Sequence, residues 1–137
     1  MIKEENSTQN KKYDLEERTA KFGEDIIDWV KKLPRNDITK RLIPQLIGAS
    51  TSIGANYCEA DCAESNKDFI HKMSIANKEA KESKHFIRML GRVCSEQAIE
   101  GRKLWKEAHE LNFIFMTIVK NAKETEKKKD IDMDKEN

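Results

Sequence analysis

Two prolines and five glycines in 137 residues leave few points where the chain must turn, which excludes a loop-rich fold and favours long helices. Cysteine is also sparse: three, unevenly spread, build no disulfide framework and point to a reducing, cytoplasmic setting. Long apolar runs are missing. The longest, Phe113-Ile114-Phe115-Met116, is far too short to span a bilayer, so no membrane partner is expected. No basic-then-apolar leader opens the chain. Net charge is only +1 although 37% of residues are charged, so only a local patch can argue for nucleic acid. A glycine-rich phosphate loop is lacking, and no partner stands at triad or metalloprotease spacing from His71, His85 or His109. No catalytic residue, metal ligand set or cofactor is therefore assigned, and an enzyme is not expected.

Residues 1–12 and 123–137 are almost entirely polar or charged. Such segments bury too little apolar surface to offset the entropy of ordering, so both are expected to be disordered tails. Residues 13–122 remain as one folded domain.

Within it a 3.6-residue period recurs four times. Helix one is expected to open after Asp14 and to carry Leu15, Thr19, Phe22, Ile26, Trp29 and Leu33, up to Pro34. Helix two carries Leu42, Leu46, Ala49, Ile53, Asn56 and Ala60, and starts near Ile43 so that Pro44 takes the first position. Helix three follows a capping-box-like Ser65-Asn66-Lys67-Asp68 and carries Phe69, Met73, Ala76, Ala80, Ser83, Ile87, Leu90 and Cys94. Helix four is expected over about 97–122, with Leu104, Ala108, Leu111, Phe115, Ile118 and Ala122 in register. The fold class is all-α, an antiparallel up-down-up-down four-helix bundle.

Four groups of residues are weighed as candidate sites. The stretch TSIGANYCEADCAES, residues 51–65, follows Gly48 and Ala49 and is rich in small residues, which suggests close helix contact. Helix topology brings Arg18, Asn56, Glu59 and Lys72 to one end of the bundle. They are read as a polar cluster that fixes helix register, with a ligand or catalytic site as the alternative. Cys58 and Cys62 are spaced i, i+4, but a closed metal site needs four good ligands and two are lacking; no role is assigned to them or to Cys94. On helix three, Lys78, Lys81, His85, Arg88 and Arg92 follow 3-4-3-4 spacing opposite the seam. This is either a solvated face or a ridge for phosphate contacts. Finally, helix four is apolar nearly all round, and Trp105, Ile114, Met116 and Val119 are expected to form an oligomer interface.

Beyond this, YDLEERTAKFGEDII, QLIGASTSIGANYCEADCAES and DFIHKMSIANKEAKES resemble the bacterial four helix bundle protein family, which includes proteins encoded in intervening sequences of 23S rRNA genes and whose relatives include accessory proteins of diversity-generating retroelements. Ser52, Ile53, Ala55, Asn56, Glu59 and Ala60 carry the pattern, and Gln45, Phe69, Lys72, Ala76 and Glu79 match it too. The resemblance implies a four-helix bundle that forms rings, commonly pentamers. It also implies relatives that bind nucleic acid and a reverse transcriptase through basic surfaces. Gly48 stands where such proteins often carry Arg. The leading expectation is a homo-oligomeric scaffold or accessory protein that binds RNA or a nucleic-acid enzyme such as a reverse transcriptase. The alternatives are a protein-interaction module without nucleic-acid binding, and a small-ligand or metal-binding protein.

Overall fold

A computed structural model describes residues 10–136 as four α-helices with short connections and no strand among the described residues. They are α1 (Asn10–Val30), α2 (Asp37–Asp61), α3 (Asn66–Val93) and α4 (Ala98–Glu136), with a 3₁₀ turn at Ser95–Gln97 before the last. Helices adjacent in sequence pack on one another, and α4 closes the square by packing on α1. The bundle expected from the hydrophobic period is the fold observed. Residues 1–9 of the expected N-terminal tail lie outside the described residues.

The seam residues supply the core. Phe22, Ile26 and Trp29 of α1 meet Leu46 and Ile53 of α2, Met73, Ile87 and Leu90 of α3, and Leu111 and Phe115 of α4, all fully buried. The seam departs from expectation on α2, where Ile43 is buried and Leu42 only half-buried. Tyr57 is buried where Asn56 was expected, and Asn56 is only half-buried. Steps of three and four residues alternate along a seam, and from Ile53 the step is four, which brings the larger apolar body inward.

Both ends of α2 depart from expectation. The helix starts at Asp37, because Asn36 forms a capping box: its side chain accepts from the Ile38 and Thr39 amides at 2.9 and 3.0 Å. Thr39 Oγ1 accepts in return from the Asn36 amide at 3.0 Å and donates to the Pro34 carbonyl at 2.7 Å. Pro44 therefore lies inside the helix, not at its start. It sits on the exposed side, where water can satisfy the freed Lys40 carbonyl, and the cap offsets part of the roughly 3 kcal/mol cost. At the start of α3, Ser65 Oγ accepts from the Asp68 amide at 3.1 Å, the expected cap.

α1 begins at Asn10, so Asp14 lies within it and does not cap it; no Gly or Pro interrupts this stretch. α4 runs on through Glu136, past the expected end at Ala122. Residues 123–136 are nearly all exposed and charged, but they contain no helix breaker, and pairs such as Glu124 and Lys128 are spaced i, i+4. The Asn66 amide donates to the Ala122 carbonyl at 3.1 Å and to Glu126 at 2.7 Å, which ties the first part of this extension to α3.

The glycines sort by what surrounds them. A Cβ on Gly101 would sit 2.9 Å from Trp29 Cζ2, so the indole lies directly on the α4 backbone. A Cβ on Gly54 would stand 3.3 Å from Thr19 Oγ1, which is the close α1–α2 contact expected from the small residues. Gly48 differs: nothing lies within 4 Å, and it takes no part in that contact.

Candidate nucleic-acid interface

The α3 row is placed as its spacing implies. Lys78, Lys81, His85, Arg88 and Arg92 are all exposed. Among the described residues, none of them is in an ion pair. The row is a positively charged ridge with its charges unspent.

Lys84 behaves differently, although it lies next to His85. Its ammonium points across to α4, 3.1 Å from His109 Nδ1 and 3.3 Å from Asn112 Oδ1. An ammonium has no lone pair, so Nδ1 is the acceptor. The Asn112 side chain is buried and donates to Asn77 Oδ1, closing a polar network between α3 and α4. Lys84 also lies 5.4 Å from the centroid of Trp105, at cation–π distance. Trp105 stacks on His109 with centroids 5.0 Å apart and planes 14° apart, and His109 meets Phe113 edge-on at 5.5 Å. Trp105, His109 and Phe113 thus form an aromatic ladder at i, i+4 spacing beside the basic ridge. The spacing was visible in the sequence. What was not visible was that α4 presents this ladder on the side facing α3.

At the end of the bundle where α3 passes into α4, an open cleft of about 650 Å³ is lined by Arg88, Arg92, Arg102 and Trp105, among others. Trp105 is half-buried there. A second cleft of about 550 Å³, nearer the other end, is lined by Asn77, Phe113, Met116, Val119 and Lys120 among others.

The expected polar cluster does not form as one unit. Lys72 Nζ does meet Glu59 at 2.8 Å, and this pairing holds the lysine pKa above its ordinary value. Arg18 instead reaches α4. Its Nε and Nη2 donate to the two Glu107 oxygens at 2.8 and 2.6 Å, and Nη2 also meets Glu110 at 2.5 Å. The bidentate fit to Glu107 is the reason: a planar fork matches one carboxylate, and α4 also packs on α1, although less extensively than α2 does. Asn56 donates to the Ser52 carbonyl of its own helix at 2.9 Å, so it bridges no helices.

The four expected interface residues do not share one face. Ile114 lies nine residues after Trp105, which is half a turn away. Trp105 is engaged by Lys84 and His109. The exposed apolar pair is Phe113 and Met116, 60% and 46% exposed, with Val119 half-buried beside them. Cys58, Cys62 and Cys94 are free thiols. Among the described residues, no group of three or more His, Cys, Asp or Glu is placed to hold a metal ion. No described helix is long and apolar enough to cross a membrane.

Residues 11–116 match the model of the family described as 23S rRNA-intervening sequence protein. The chain belongs to that family. The match spans the bundle and stops before the exposed extension of α4. A crystal structure is similar: that of a protein of unknown function from the S23 ribosomal protein family of Bacteroides thetaiotaomicron. It is 29% identical, with a TM-score of 0.71, over 80% of this chain and 98% of that one. No functionally curated protein matches.

Proposed function

We propose that this 23S rRNA-intervening sequence family member is a non-enzymatic, self-associating scaffold that binds nucleic-acid phosphates along the outer face of α3. The observation that carries the reading is the exposed row Lys78, Lys81, His85, Arg88 and Arg92 with no ion pair among the described residues. A solvated face on a nearly neutral protein ordinarily interleaves both signs; here the acids of this stretch, Glu79 and Glu82, are half-buried at the side of the row, and the row itself holds none. Phosphate contacts need only cations at this spacing and carry no sequence information. In an assembly the row would repeat, so weak contacts would add through multivalency. A nucleic-acid enzyme such as a reverse transcriptase is the partner class such a scaffold would serve. Phe113 and Met116 support the self-association part, since two large exposed apolar side chains side by side are the mark of a contact surface.

Filter binding with a structured RNA at low and moderate salt tests the phosphate row. Replacing Lys78, Lys81, Arg88 and Arg92 by Gln is expected to leave the fold intact. It should lower the slope of log affinity against log salt by up to about 0.9 per lost contact. Equal binding by wild type and variant, or no binding at low salt, would transfer the face to an acidic protein partner. Phe113→Glu with Met116→Glu is expected to give smaller species in light scattering; an unchanged mass removes that surface from the assembly.

A further inference from the structure

We propose that the cleft where α3 passes into α4 is a stacking pocket for one unpaired nucleotide of a single-stranded nucleic acid. The proposal rests on phosphate binding along α3 and adds a way to choose between strand types.

The cleft, at about 650 Å³, falls within the roughly 300–1,000 Å³ range of sites that take a small aromatic ligand. Its charge is of one sign: Arg88 and Arg92 come from α3, Arg102 from α4, and no carboxylate lines it. Among the described residues, none of the three guanidinium groups is in an ion pair. Guanidinium forks match phosphate oxygens two at a time. The Trp105 indole lines the same cleft. Its orientation is held by the His109 stack and the Lys84 contact, and neither of those residues lines the cleft. A fixed aromatic face beside clustered guanidinium groups is the arrangement that takes a base and its phosphate together.

Gly91 adds an independent mark. It lies inside α3, where Gly costs up to about 1 kcal/mol relative to Ala. Packing does not require it, because a Cβ there would meet nothing within 4 Å. It lines the cleft, and its lack of a side chain keeps the floor open to a ligand. A duplex keeps its bases paired and stacked, so it cannot offer one to the indole. It still offers phosphates to the α3 ridge.

The full chain is titrated with a 12-mer oligoadenylate RNA, the same strand as DNA, a 12-bp RNA duplex, and AMP. Binding is followed by anisotropy and by tryptophan emission. Trp29 is fully buried, so quenching on binding reports Trp105. Single strands are expected to bind more tightly than duplex and to quench. Trp105→Leu and Gly91→Phe should each weaken strand binding about 5- to 150-fold, the value of one base–aromatic stack, and leave duplex binding unchanged. RNA and DNA strands should bind alike, since neither arginine nor tryptophan reads the 2′-hydroxyl. Equal affinity for strand and duplex, or unchanged strand affinity in both variants, would overturn the pocket and leave the phosphate row standing. A strict requirement for RNA, or AMP binding as tightly as the 12-mer, would overturn the strand reading. No binding of strand or duplex at low salt would sink both proposals.

Discussion

Gly101→Ala is expected to destabilise the protein although alanine is the better helix former. The new methyl would lie 2.9 Å from Trp29 Cζ2, well inside contact distance, and the indole cannot easily yield. It is fully buried, and its Nε1 donates to the Gln97 carbonyl at 3.2 Å. Overpacking a well-filled core costs about 1–3 kcal/mol. Replacing Gly by Ala in a helix returns about 0.5–1 kcal/mol. The net loss is thus up to about 2.5 kcal/mol, or roughly 4 °C of melting temperature per kcal/mol for a domain of this size. Two other glycines calibrate the measurement. Gly48→Ala meets nothing and should gain the full helical term. Gly54→Ala, at 3.3 Å from the Thr19 hydroxyl, should come out near zero. Thermal melts followed by far-UV circular dichroism, at one protomer concentration, give the order Gly48→Ala above wild type, Gly54→Ala close to it, Gly101→Ala below. Adding Trp29→Phe, which removes the offending edge, should make the Gly101→Ala penalty smaller. If Gly101→Ala stabilises as much as Gly48→Ala, the helix contact at Trp29 is not as close as described.

Asn112→Ala should cost about 1–3 kcal/mol, because it strands Asn77 and Lys84, whereas Asn56→Ala should fall within about 0.5 kcal/mol of wild type; urea melts of both variants decide this. Burial, reinforced by Glu82, raises the pKa of the Glu79 carboxyl from its ordinary value. Its folded value therefore exceeds its unfolded value, and the charged form opposes folding at neutral pH. Glu79→Gln should raise the melting temperature at pH 7, and the gain should vanish as pH falls through the carboxylate range; a gain that persists at low pH would assign the effect to packing. Removing residues 127–137 should lower the helical signal and leave the melting temperature unchanged, because among the described residues the last hydrogen bond from the extension to another helix is made by Glu126; a lower melting temperature would show that the extension packs.

The hydrophobic period made the four helices and most of the core legible, since every seam residue must reach the same interior. It left ambiguities that only three dimensions resolve. Steps of three and four fit the sequence equally well at Asn56 and Tyr57, and the choice follows from the volume to be filled. The Asn36–Thr39 cap was hidden by Pro44, which reads as a helix start unless a stronger start lies upstream. Arg18 could be placed at the right end of the bundle but not on the right neighbour, because periodicity fixes a helix's inward face and not which helix its flank touches. The α3 row needed no tertiary information, since spacing alone puts those side chains on one side. The Trp105 cleft needed all of it: its arginines come from two helices, and its indole, carried by α4, is held by a lysine of α3.

Three antiparallel turns return the chain to the level at which it began. The start of α1 and the outgoing part of α4 therefore emerge from the same end, and the Trp105 cleft sits at the other. Beyond Glu126 the last ten residues of α4 reach about 15 Å further, at 1.5 Å per residue. A fluorescent label or surface tether attached at Glu136 would stand clear of the bundle and hold the arginine-lined end outward, so the helix is a ready-made spacer for immobilising the protein with its proposed binding end free.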